Sequence, residues 1–131
     1  KMFALIAQKK APEALALIQE LSEAGYDLAY FGKLIMQYFR AALFLKTDVS
    51  LKQFVVSEML DDEYECIMSN LASFTIGELV AGVNIIHDNL QRFRKTPIPQ
   101  LPLELAVIEL IDGKSTSAEK KEEDSTIIQR G

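Results

Sequence analysis

The sequence predicts an all-α protein, a compact bundle of about six or seven helices followed by a flexible polar tail. Apolar residues recur three and four apart through most of the chain, the spacing that gathers them on one side of a helix. No segment alternates with a period of two for long enough to suggest a strand. Helix start and stop signals fall at the edges of the periodic stretches. Hydrophobic residues make up 49% of 131 residues, enough for a sizeable core in a chain whose length fits one domain.

Met2 to about Lys9 reads as the end of a helix, with Phe3, Ile6 and Ala7 on one side. Pro12 fits the first turn of a second helix, where its missing N–H would have no partner anyway. That helix runs to Ala24 with an apolar stripe of Ala14, Leu15, Leu17, Ile18 and Leu21, and Gly25 is its left-handed stop. Asp27 caps the third helix, Leu28 to about Lys46. Its stripe of Leu28, Phe31, Ile35, Tyr38, Phe39, Ala42 and Leu45 is widened by Leu34, Leu43 and Phe44. A helix apolar over most of its circumference is buried on several sides, so this one is expected at the centre. Thr47–Ser50 is a connector, with Ser50 capping a short helix from Leu51 to about Leu60. Asp61 is the expected cap of the next, Asp62 to about Ala72. Ser73 or Thr75 opens a long helix to Lys95, and Glu78 stands three residues after Thr75 as in a capping box. Leu79, Val83, Ile86, Leu90 and Phe93 give it a narrow seam suited to near-parallel packing.

Three of the four prolines, Pro97, Pro99 and Pro102, then fall within six residues. Proline fixes φ and pushes the preceding residue towards an extended conformation. Pro97–Gln100 is therefore expected as a stiff extended crossing into a last helix, Pro102 to Asp112, stopped by Gly113. From Lys114 the composition turns to Lys, Ser, Thr, Glu and Asp, too polar to offset the entropy of ordering the chain. Residues 1–113 are thus the helical body and 114–131 a flexible tail or linker. Ile127 and Ile128 are the tail's only large apolar residues and a candidate weak docking element.

The net charge is −5, and the four basic and four acidic residues of the tail cancel, so the body holds all of it. An acidic body argues against nucleic acid as a direct ligand, because phosphate neutralisation dominates such binding. A single cysteine, Cys66, excludes an internal disulfide and fits a reducing compartment. No apolar run reaches the ~18 residues of a membrane span, and no signal peptide is legible. A cytoplasmic location is expected. Lys1 opens directly into helix-like sequence, which reads as a piece of a longer protein.

The chemistry-bearing motifs are sparse. Gly113-Lys114-Ser115-Thr116 has the ending of a phosphate-binding loop. Ile108 stands where that motif needs its first glycine, however, and a helix precedes where a strand belongs. His87 has no cysteine or acidic partner at ligand spacing, so no metal site is expected. Cys66 lacks an identifiable base and reads as a small apolar residue. Asp61-Asp62-Glu63 and Glu65 read as a helix start stabilised by capping and the helix dipole. No cofactor and no catalytic constellation is expected, so the chain reads as a non-enzyme. Arg92, Arg94 and Lys95 have two readings. Cations are favoured at a helix C-terminus, and in an acidic body they also orient complementary partners.

The string from Gln91 to Ile111, QRFRKTPIPQLPLELAVIELI, resembles the last third of the collar domain of the bacterial clamp-loader γ/τ subunit of DNA polymerase III. The segment KAPEALALIQELSEAGYDLAYFGKLIMQYFRAALFLK, Lys10 to Lys46, is similar to the same family's pattern of short helix, glycine stop and long apolar helix. The likeness covers about Met2 to Gly113. Gln100 departs from it, standing where many relatives carry arginine. The resemblance implies a non-catalytic oligomerisation domain that assembles with its own copies and with the δ and δ′ subunits. The resulting ring places the sliding clamp on DNA during replication. It also implies a subunit interface, for which Arg92, Arg94, Lys95, Pro97, Pro99 and Gln100 are the candidates. A helical adaptor that binds a protein or peptide without building a ring is the alternative.

Overall fold

A computed structural model describes residues 1–55, 57, 59–93 and 97–112. It is all-α, with no strand among the described residues. Among the described residues six α-helices follow one another: α1 (Met2–Ala7), α2 (Ala11–Glu23), α3 (Leu28–Thr47), α4 (Asp61–Asn70), α5 (Ile76–Leu90) and α6 (Leu101–Asp112). Short 3-10 helices at Val49–Phe54 and Leu71–Ser73 flank α4.

The central place expected for the third helix is where α3 lies. Leu28, Ile35, Phe39, Ala41, Ala42 and Leu45 are all buried on it, and α5 runs antiparallel alongside. Glycines let the two backbones approach. A Cβ at Gly32 of α3 would stand 2.8 Å from a Leu90 methyl, and one at Gly82 of α5 would stand 2.7 Å from the Phe39 ring. Large residues of each helix thus sit over a glycine of the other. Helix α6 packs on α5 and α2, burying Leu103, Ala106, Val107 and Ile111. Although α1 has only six residues, Met2, Phe3 and Ile6 are buried. The Phe3 ring stacks on Phe39 at 5.2 Å, and Phe74 meets both edge-on at 5.3 and 5.5 Å. This aromatic triangle ties α1 and α3 to the entry of α5.

Local chemistry sets most ends. Asp27 accepts from the Tyr30 N–H at 3.2 Å, and Thr75 and Glu78 exchange hydrogen bonds of 3.1 and 2.9 Å as the capping box requires. Helix α2 closes with paired bonds from Gly25 to Ser22 and Tyr26 to Leu21, Gly25 lying at φ 84°.

Four expected boundaries differ. Asp48, not Ser50, caps the segment after α3 by accepting the Ser50 N–H at 2.9 Å, and the result is a 3-10 helix ending at Phe54. Asp61 is the first residue of α4 and not its cap, because Glu63 reaches back to accept the Leu60 N–H at 3.0 Å. The long helix stops at Leu90, after which Arg92 and Phe93 bond back three residues to Asn89 and Leu90 in a tightening turn. Pro97–Gln100 is bent and not an extended crossing. The Leu101 N–H donates to the Ile98 carbonyl at 3.1 Å, making a turn that feeds straight into α6. The expected glycine stop at Gly113 and the tail from Lys114 lie outside the described residues.

Candidate assembly surface

The residues expected at an interface are divided by the structure. Arg92 is exposed at the turn after α5, and its Nη1 donates to the Asn89 Oδ1 at 3.3 Å. Asn89 is itself 2% exposed, and its Nδ2 donates to the Ile85 carbonyl at 2.8 Å. The Arg92 guanidinium is therefore held against the C-terminal end of α5, where the helix dipole favours a cation. Pro97 and Pro99 are exposed, Gln100 is half-buried, and the Gln100 carbonyl accepts the first hydrogen bond of α6 from Glu104 at 3.0 Å. Ile98 between the prolines is 50% exposed, so the turn presents an apolar tip. Arg94 and Lys95 lie outside the described residues.

Beside this region a groove of about 520 Å³ opens between the N-terminal half of α3 and the end of α5. Ala29, Met36, Leu90 and Phe93 are its half-buried apolar lining, while Lys33, His87 and Gln91 are exposed along it. Sequence reasoning missed this groove. Ala29, Lys33 and Met36 do share a helical face by spacing, but they lie outside the long apolar stripe that drew the reading of α3. A second, smaller hollow of about 180 Å³ lies among α1, α2 and α3, with Phe3, Leu17, Leu21, Phe31 and Ile35 in its lining.

On the other side of α3, the Tyr38 hydroxyl donates to Glu63 of α4. Glu63 thus joins two partners, Tyr38 through one oxygen and the Leu60 N–H through the other. Its carboxyl is held below the ordinary range first by the Tyr38 hydroxyl and then by the Leu60 N–H. Burial, with the Glu63 carboxylate second, pushes the Tyr38 hydroxyl well above its ordinary value. The pair is a structural tether, since the bonded carboxylate is a weakened base and the phenol a weakened acid. Among the described residues no group of three or more His, Cys, Asp or Glu side chains could hold a metal ion. Cys66 is half-buried and free, and His87 sits on the groove rim. No single helix among the described residues is long and apolar enough to cross a membrane.

Charge is segregated between elements. Helix α3 carries Lys33, Arg40 and Lys46 and no acid, whereas α4 carries Asp61, Asp62, Glu63 and Glu65 and no base. Comparison of the chain with protein-family models, curated proteins and solved structures finds no match.

Proposed function

We propose that this chain is a non-catalytic assembly module, the helical collar of a bacterial clamp-loader γ/τ subunit. The observation that carries the reading is the Gln91–Ile111 string, a basic helix end, a proline turn and an apolar helix in direct succession. The exposure of Arg92, Pro97, Ile98 and Pro99 supports it, because an interface needs its candidates at the surface. On this reading the module acts by packing against its own copies and against δ and δ′ in the cytoplasm. It holds attached ATPase modules at high local concentration and needs no cofactor of its own. DNA is then bound by other parts of the loader, in keeping with the acidic body.

Light scattering of the chain, alone and mixed with δ and δ′, tests this reading. Larger species are expected in the mixture, and their absence would remove the assembly role. Reversing Arg92 and Lys95 to Glu is expected to weaken association by ~2 kcal/mol or more. Among the described residues the fold loses the Arg92–Asn89 bond, about 0.5–1.5 kcal/mol, read as a small fall in thermal midpoint. The apolar hollow among α1, α2 and α3 favours the adaptor reading instead. A peptide that binds there while the chain stays monomeric with every loader subunit would decide for it.

A further inference from the structure

Helix α3 has two unlike sides. The groove residues Ala29, Lys33 and Met36 share one of them. Tyr38 follows Ala29 by nine positions, which at ~100° per residue turns it to roughly the opposite side. There Tyr38 holds Glu63, and Glu63 holds the Leu60 N–H, so the entry of α4 is pinned to α3. The corner so fixed presents Leu60, at 72% the most exposed large apolar side chain among the described residues, immediately before exposed Asp61 and Asp62. The groove offers the converse, an apolar lining of Met36, Leu90 and Phe93 beneath Lys33 and His87.

We propose that the α3–α5 groove receives the Leu60–Asp62 corner of a second copy of this chain. Leu60 enters against Met36, Leu90 and Phe93, and Asp61 or Asp62 meets Lys33. The match rests on charge as well as shape. In a chain of net charge −5, α3 is purely basic in its charged residues and α4 purely acidic, so like surfaces of two copies repel and unlike ones attract. Because corner and groove lie on opposite sides of α3, each copy uses one of each. The contact is head-to-tail, of the kind that closes into a ring or grows as a filament. The inference rests on the assembly reading and adds to it the contacting surfaces and their polarity.

Sedimentation velocity of the full chain over a range of concentrations tests it with three variants. Lys33→Glu disables the groove, a joint Asp61→Lys and Asp62→Lys change disables the corner, and Leu60→Ser removes the apolar anchor without changing charge. All are exposed or at the groove rim, and circular dichroism checks that each folds. Each is expected to weaken self-association by about tenfold or more. Mixing the groove variant with the corner variant leaves one native contact and sets the two sets of reversed charges opposite each other in the other, so association well beyond that of either variant alone is expected. Self-association unchanged in all three variants, or a mixture that stays monomeric, overturns the proposal and leaves the assembly reading standing. A wild-type chain that is monomeric alone yet joins δ and δ′ also overturns the proposal only. A chain that associates with nothing overturns both.

Discussion

Lys9 holds a backbone conformation that favours glycine. Its φ is 57°, and it closes α1 as Gly25 closes α2, with Lys9 bonded to Ile6 at 3.1 Å and Lys10 to Leu5 at 2.9 Å. The left-handed region costs a residue with a Cβ roughly 1–2 kcal/mol, part of which glycine gives back through its freer unfolded chain. Lys9→Gly is therefore expected to stabilise the fold by about 0.5–1 kcal/mol, read as a higher urea midpoint at unchanged slope. Tyr38 and Glu63 both contribute to the pH dependence of stability. Glu63 titrates below its ordinary 4.5 when folded, so its contribution is complete above that pH and fades as pH falls through the lowered value. Tyr38 titrates above its ordinary 10.0, so its contribution is complete below that pH and fades as pH rises through the raised value. Thermal midpoints measured across pH should show both limbs flattened in Tyr38→Phe.

Between elements, the α3–α5 contact is set by its two glycines, and they are not equivalent. At Gly82 an added methyl meets Phe39, which is 1% exposed and wedged between Phe3 and Phe74, and it also meets Leu110 at 3.2 Å. At Gly32 it meets the end of the half-buried Leu90 side chain, which borders the open α3–α5 groove. Gly82→Ala is expected to destabilise by about 1–3 kcal/mol through overpacking. Gly32→Ala should stay within about 1 kcal/mol of wild type, because the helix gains up to ~1 kcal/mol from alanine. Chemical denaturation of both variants checks the order. Starts set by a single side chain, such as Asp27 and Thr75, were legible in the sequence because the capping chemistry is local. The segment from Asp48 to Leu60 was not. Asp48 and Ser50 both offer a capping oxygen, and only the finished structure shows that Asp48 turns the chain early and leaves Phe54 exposed. The proline stretch failed for a related reason. Fixed φ values alone predict an extended run, whereas the Leu101-to-Ile98 bond folds them into a turn.

For the molecule as a whole, the aromatic triangle is the junction on which helices far apart in sequence depend. Phe39→Ala is expected to cost roughly 3–5 kcal/mol and to lower the thermal midpoint steeply, since its cavity opens onto both Phe3 and Phe74. The central role of α3 was legible because its apolar stripe is broader than one neighbour can cover. The groove beside it was not, because periodicity says which face of a helix is apolar but not which helix lies next to it. Arg92 was legible as a surface cation, while its bond to buried Asn89 depends on how the helix end turns. The packing of Phe3 also bears on how the chain breathes. Helices as short as the six residues of α1 ordinarily fray, and their amide protons exchange with solvent within the native state. Here the amides of Leu5, Gln8 and Lys10 are bonded within a segment whose Phe3 and Ile6 are 1% and 2% exposed. Releasing them means opening the core, so these protons should exchange as slowly as those of mid-α3, and a protease should find no early cut before Lys10.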